Sequence, residues 1–454
     1  MAIGLVARCT SDTGLANISV GRRACRVVGV EGQSRIVVRK PVPANIRLPM
    51  ADSSKKRFTA ETHRAATLDE TLARIEPHLS SIGISRVANV TGLDRIGIPV
   101  VMVVRPNSRS VVVSQGKGLS LRAARVSGLM ESIETWHAER PALPLRYETW
   151  SEISREAATV NVSALPETSF GSFSPDRKSL WVEAHDLVRN EAAWLPYELV
   201  HTDYTHPVTP QYGCFACSTN GLASGNHLLE ASCHAICEVI ERDAISVWHH
   251  LPSEVRQTTR IVPDSIADAG CQDAMARITG AGFELAVWET TTDVGVASFR
   301  CIIVDGSERD GHIGIGDGCH VDPAIAVLRS LTEAVQTRMT YISGARDDMA
   351  PDEFTPQAMA HKTRFARDLI REGTPQRNFE AAPGFASDDF ADDLDWLLGR
   401  LDQAGCPQVL RVDLSRPEIG LAVVRIVIPA LEAPHDDYGY VPGPRARRAM
   451  GLPS

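Results

Sequence analysis

The stretch Leu228-Leu-Glu-Ala-Ser-Cys-His-Ala-Ile-Cys-Glu-Val-Ile-Glu-Arg-Asp-Ala244 decides how the chain is read. Glu230, His234, Glu238 and Glu241 fall at spacings of four, four and three, which puts them on one face of an α-helix. The remaining faces are apolar almost all round, and the stretch has no lysine. A solvated face ordinarily mixes basic with acidic residues, whereas an apolar surround marks a buried helix. Buried carboxylates are costly unless a cation neutralises them. For this helix alone, a plain solvated stripe still competes with a cation site.

Two further helices repeat the pattern. After Gly116-Lys117-Gly118, a helix of about 20 residues to Arg140 carries Ser127, Glu131 and Glu134 on one face. Near 323–342, Glu333 and Gln336 lie three apart, with Arg338 displaced around the helix. Clustered hard oxygen ligands suit Mg²⁺, which bridges a few carboxylates to substrate phosphates. No Gly-x-x-x-x-Gly-Lys-Ser/Thr run exists, so a P-loop is excluded. Gly314-Ile-Gly316-Asp-Gly318 is a weak glycine cluster, and a turn explains it as well.

Around these helices the pattern predicts a helix at 67–79 and two strands at 98–105 and 110–114, joined by a turn at 107–109. A looser strand-and-loop region extends to 210, with its clearest strand at 180–185. The helix opening at 228 extends to about 250, and another spans 264–281. Strands follow at 284–290 and 297–305, then a helix at 390–404 and strands at 408–414 and 422–428. This alternation predicts an α/β chain of mixed α+β layers.

The 454 residues correspond to roughly three domain-sized units. A hydrophobic share of 43% supplies a large core. A net charge of −9 disfavours a general nucleic-acid binder. No apolar run is long enough for a membrane span. Ten cysteines without a signal peptide are expected to be reduced and cytoplasmic. The first fifty residues carry eight Arg/Lys against two acids, and Met50 opens an ordinary-looking start. Residues 1–57 are therefore expected to be an extension outside the fold.

Together the three helices resemble the YcaO family, ATP-dependent enzymes that modify backbone amides of ribosomally made peptides. The family's Ser-x3-Glu-x2-Glu-Arg motif reads Ser127, Glu131, Glu134, Thr135, preceded by Gly116-Lys117-Gly118. Its second block reads Asn220-Gly221-Leu222-Ala223-Ser224-Gly225-Asn226, then Glu230, His234, Glu238, Glu241 and Arg242. Its third reads Thr332-Glu333, Gln336, Arg338. The resemblance covers 58–445 as one YcaO-type ATP-binding fold and leaves 446–454 as a tail.

The resemblance implies ATP and Mg²⁺ as cofactors. It assigns Lys117, Ser127, Asn226, Arg242 and Arg338 to the phosphates or sugar. Glu134 and His234 join them in holding the nucleotide, and Glu131, Glu230, Glu238, Glu241 and Glu333 hold Mg²⁺. Glu131, Glu238 and Glu241 are the expected catalytic carboxylates. Thr135 replaces an arginine, so that guanidinium is lost or supplied elsewhere. His234 replaces a glutamine and can still donate a hydrogen bond. Ala223 stands where some members have serine, with Ser224 next to it.

In the family's reaction a nucleophile adds to the amide carbon and the amide oxygen takes the γ-phosphoryl group. Azoline formers often end in Pro-x-Pro-x-Pro; this chain ends Gly451-Leu-Pro453-Ser454 and shows no fused leader-binding domain. That implies thioamidation of a precursor peptide or protein with a TfuA-type partner, in a chain that can also form a homodimer. The alternatives are an azoline-forming cyclodehydratase, a zinc module on Cys214, Cys217, Cys233 and Cys237, or a non-catalytic peptide-binding accessory protein.

Overall fold

The computed structural model describes residues 54–206, 213–307, 310–434 and 439–453, plus the two-residue ladder of β1 (Ser19–Val20) and β2 (Arg23–Ala24). That ladder belongs to residues 1–44, a unit separate from 45–454. The rest of 1–53, including the expected start at Met50, lies outside the described residues. Length suggested three domain-sized units; 45–454 cluster as one.

In that unit α1 (Leu68–Ile75) and α2 (Leu79–Ile82) precede a sheet of β3 (Arg86–Asn89), β4 (Val100–Val104) and β5 (Val113–Lys117), which leads into α3 (Leu121–Ala138). Next come β6 (Leu145–Glu148), α4 (Trp150–Glu156), β7 (Ser179–Asp186), β8 (Glu191–Pro196), β9 (Leu222–Gly225) and α5 (Leu228–His250). Then α6 (Ser253–Thr258) and α7 (Ala269–Gly280) precede a second three-stranded sheet, β10 (Phe283–Glu289), β11 (Ser298–Asp305) and β12 (Gly314–Cys319), leading into α8 (Pro323–Ser343). The chain continues through α9 (Pro356–Arg371), α10 (Phe390–Gln403), β13 (Leu410–Asp413), β14 (Ala422–Val427) and α11 (Pro444–Ala449). A six-stranded sheet runs β6-β7-β13-β14-β9, with β8 also on β7. Its ladders are antiparallel, as are those of both smaller sheets.

The three carboxylate helices are built alike. Each follows a short strand, β5, β9 or β12, and starts on a capping residue: Ser120, His227 or Asp322 accepts a backbone N–H of the first turn. Each helix also lies unusually close to its own strand. A Cβ on Gly116 would strike the backbone of α3 at Ala124 and Gly128, and one on Gly225 would press on Ala231 of α5. Gly314, Gly316 and Gly318 alternate along β12, and a Cβ on any of them would collide with backbone of α8. The glycine cluster is therefore a strand, not the expected turn. Its glycines are needed for close backbone approach, a recurrent reason for glycine inside a strand.

Two expected boundaries move. Residues 54–57 pack on the fold instead of preceding it. Lys56 is buried in an ion pair with Asp393 (2.7 Å), and its N–H donates to the Asp388 carbonyl (2.9 Å). The expected tail is partly the helix α11, with Ala446 fully buried. The helix expected at 264–281 starts at Ala269, because Asp268 caps it by accepting from the Cys271 N–H. Sequence reading also missed α9, an amphipathic helix that opens Thr355-Pro356, with Thr355 as its cap.

Candidate nucleotide site

The three helices bring their carboxylates together. Glu131 is half-buried on α3 and, among the described residues, receives only a long 3.4 Å contact from the Gln115 N–H. Burial pushes its carboxyl up to about 7, against the pull of Arg346 and Lys117. Glu134, one turn on, accepts from the N–H (2.9 Å) and hydroxyl (2.6 Å) of Ser224. Burial and the neighbouring Glu131 and Glu238 still push it up to about 8, despite Ser224. Ser224 thus supplies the hydroxyl that Ala223 lacks.

On α5, burial raises both Glu238 and Glu241, Glu241 to about 7. Arg242 and Arg329 pull both down, while Glu333 pushes both up. Glu241 Oε2 is buried and has no hydrogen-bond partner among the described residues. On α8, Glu333 is ion-paired with Lys117 at the end of β5. Burial raises Glu333, but Lys117, Arg242 and Arg329 outweigh it and hold the carboxyl below its usual range. Ser127 is half-buried on α3, one turn before Glu131.

Sequence reasoning missed Arg329. It sits one turn before Glu333 and faces Glu241, Glu333 and Glu238, which raise its pKa against burial. The Arg329/Glu333 spacing of four was the available signal. It also missed the strap 61–66. The Leu119 N–H donates to Glu61 (2.6 Å), the Ala65 N–H donates to Glu230 (2.9 Å), and the Arg64 guanidinium lies 3.8 Å from Glu230. The strap has no periodic pattern to reveal it.

Three expected roles change. Asn226 is fully buried and holds Glu230 through its N–H (3.0 Å) and side-chain amide (3.4 Å), while accepting from Thr71 (3.2 Å). Ala65 and Asn226 both donate to Glu230 Oε2, while, among the described residues, Oε1 has only the long contacts of the Asn226 amide and Arg64 (3.8 Å), so this pair also organises the strap. Arg338 is not brought to the other groups. Its guanidinium binds Asp94 (2.6 Å) and the His312 carbonyl, and packs over Phe283 (4.7 Å). A guanidinium does arrive beside Thr135, from Arg105 (3.1 Å), but Glu139 engages it (2.9 Å).

His234 lies behind the cluster. Burial, Arg329 and Arg64 push it down to about 3, so it is neutral; its ring bonds the His63 backbone, and Nε2 has no partner among the described residues. The zinc reading fails, because the four thiols go separate ways. Cys214 contacts Arg177 (2.7 Å), Cys217 the His201 carbonyl (3.1 Å), Cys233 the Phe390 carbonyl (3.6 Å), and Cys237 packs with Cys319.

Undercompensated carboxylates beside Lys117, Arg242 and Arg329 fit Mg²⁺ and a polyphosphate. Among the described residues no three His, Cys, Asp or Glu groups converge enough to hold an ion alone.

A family model described as "YcaO cyclodehydratase, ATP-ad Mg2+-binding" matches residues 115–432. An "Uncharacterized protein in tfuA 3'region" of Rhizobium leguminosarum bv. trifolii is 34% identical over 379 residues, 81% of this chain and 88% of that protein. A protein of Methanothermobacter thermautotrophicus is 34% identical over 380 residues, 81% and 95% of the two chains. Among solved structures, YcaO from Methanopyrus kandleri bound with AMPPCP and Mg²⁺ superposes with a TM-score of 0.68 at 22% identity, covering 86% of this chain and 98% of that one. A heterocyclase in complex with substrate and cofactor gives 0.72 at 20% identity, covering 89% of this chain; the match spans 57% of the heterocyclase. No described helix is long and apolar enough to cross a membrane.

Proposed function

The chain belongs to the YcaO family, and from that premise we propose that it activates a backbone amide oxygen of a peptide by ATP-dependent phosphorylation, for thioamidation with a TfuA-type partner. The observation that carries the activation is the cluster of Glu131, Glu134, Glu238 and Glu241, raised by burial and lacking a fixed cation for each charge.

Glu131, Glu238, Glu241 and Glu333 would hold Mg²⁺, and Lys117, Arg242 and Arg329 would face the phosphates. Arg64 stands at the strap side of the same site. Bound Mg-ATP supplies the γ-phosphoryl group that turns the amide oxygen into a leaving group. The chain's part is positioning and charge stabilisation, which carry most of phosphoryl-transfer catalysis. Lys117 at the end of β5 and Glu333 on α8 join these two elements by an ion pair. Glu134 fixes the turn into α5 through Ser224.

The sulfur outcome rests on a relative named for the tfuA 3' region. Co-expression with a candidate precursor peptide and mass spectrometry tests it. Replacing oxygen by sulfur after activation adds about 16 Da, whereas azoline formation removes water, about 18 Da. A loss at Cys, Ser or Thr overturns thioamidation and leaves the activation step standing.

A further inference from the structure

The loop that follows α8 brings one more guanidinium to the cleft. The helix stops at Gly344, whose left-handed conformation (φ 54°) turns the chain while its N–H still bonds the Thr340 carbonyl (3.1 Å). The segment is pinned at two points to β5 and the residue before it. The Thr340 hydroxyl donates to Gln115 Oε1, and Asp347 accepts from the Val112 N–H (3.1 Å). Gln115 is also the residue whose N–H touches Glu131. Arg346 stands in sequence between those two tethers. It is half-buried, and its charge bears on Glu131 ahead of that of Lys117. Arg242 and Arg329 pull instead on Glu238, Glu241 and Glu333. Arg346 is thus the arginine on the α3 side of the cluster.

Only part of its fork is in use. Nε donates to Asp348 Oδ1 (2.8 Å), and Nη2 donates to Oδ2. That side-on pair employs two of the five N–H donors of an arginine. Nη1, which with Nη2 forms the end of the fork, has no bond among the described residues. Gln115 Nε2 is buried and likewise has no partner among the described residues. Asp348 therefore fixes the plane of the guanidinium and leaves its end open, and that end matches the paired oxygens of a phosphoryl group. A phosphoryl group that Mg²⁺ draws to Glu131 enters the neighbourhood of Arg346. Its charge is spread over outer oxygens during transfer, where a fixed guanidinium stabilises it.

Resting on the nucleotide reading above, we propose that Arg346, held side-on by Asp348, binds the terminal phosphoryl group of ATP from the α3 side and carries part of its charge during transfer to the amide oxygen.

The test compares Mg-AMPPCP with Mg-ADP on the full chain by calorimetry, because only AMPPCP has the terminal phosphoryl group. Arg346→Met should lose AMPPCP affinity by about tenfold or more, leave ADP affinity as in wild type, and melt like wild type. Arg346→Lys, which keeps the charge and loses the fork, should recover part of the AMPPCP affinity. If Arg346→Met melts early, Arg346→Gln carries the same comparison. A role confined to balancing Glu131 would act through Mg²⁺ and move both nucleotides together, so equal losses overturn the proposal. Unchanged affinities for both overturn it as well. Failure of the nucleotide reading is separate: the wild type would then bind neither nucleotide, which overturns both.

Discussion

Helix α5 carries buried acids at both ends of its middle turn, and the two groups are treated in opposite ways. Toward the C-terminal segment, Asp243 accepts from Arg445 (2.8 Å) and from the Glu432 N–H (3.0 Å). Glu432 in turn collects the Tyr440 hydroxyl (2.6 Å) and the N–H groups of Gly443 (2.9 Å), Arg445 (3.0 Å) and Ala446 (2.9 Å). One buried oxygen of Asp243 and one of Glu241 have no partner among the described residues, but the other Asp243 oxygen is held by Arg445 and the Glu432 N–H; toward the cleft, Glu131 on α3 receives one long contact. The same kind of residue on one helix is closed structurally on one side and left open on the other. Buried acids held by fixed donors hold the fold; buried acids without them await a ligand.

The largest effect should come from removing a fixed cation. Arg445→Leu strands Asp243 in the interior, and breaking a buried pair from one side costs about 3–5 kcal/mol. Lys56→Met should do the same to Asp393, which is 1% exposed. Both losses are read by urea titration. If Arg445→Leu melts like wild type, the closed side of the comparison is wrong.

The cleft should respond the other way. Glu238→Gln or Glu241→Gln keeps size and removes a charge, so stability should hold or rise. ATP turnover should fall more than tenfold, about 1.4 kcal/mol of transition-state stabilisation. Paired urea and ATPase measurements on the same preparations decide it. Full activity in both variants would show that these carboxylates are not part of the site.

The contrast also explains what the sequence revealed. Acids on an apolar helix without lysine stand out, so Glu131, Glu134, Glu238, Glu241 and Glu333 were legible and the structure gathers them. Periodicity located α5 and α8 within a residue or two, because both are long and buried nearly all round. Groups that act through the backbone were not legible. β12 was hidden because alternating glycines look like a turn, and the reason for them is the backbone of α8. The strap that carries Arg64 and the Ala65 N–H has no period at all. Arg338 reads differently: a motif position was expected at the nucleotide, and in the structure Asp94 and the His312 carbonyl hold its guanidinium.

The smallest and most specific effect concerns pH. Burial raises Glu131 to about 7, Glu134 to about 8 and Glu241 to about 7, all from the ordinary 4.5. The folded chain therefore binds more protons than the unfolded chain between about pH 4.5 and 8. These groups give their full stability below 4.5 and lose it as pH rises through their folded values. Mg²⁺ requires the deprotonated forms, so its stabilisation should grow over the same interval, and binding should release protons. Without nucleotide or metal, the melting temperature should fall from pH 6 to 8.5 relative to Glu134→Gln, in which one of the raised groups is gone. Saturating Mg-AMPPCP should raise the melting temperature more at pH 8.5 than at pH 6, by about 1 °C for each kcal/mol recovered in a unit of this size. Calorimetry in two buffers of different ionisation enthalpy counts the protons directly. A Mg²⁺ increment that is flat across this range, with no proton release at pH 6, would place the cleft carboxylates with the closed acids around Arg445.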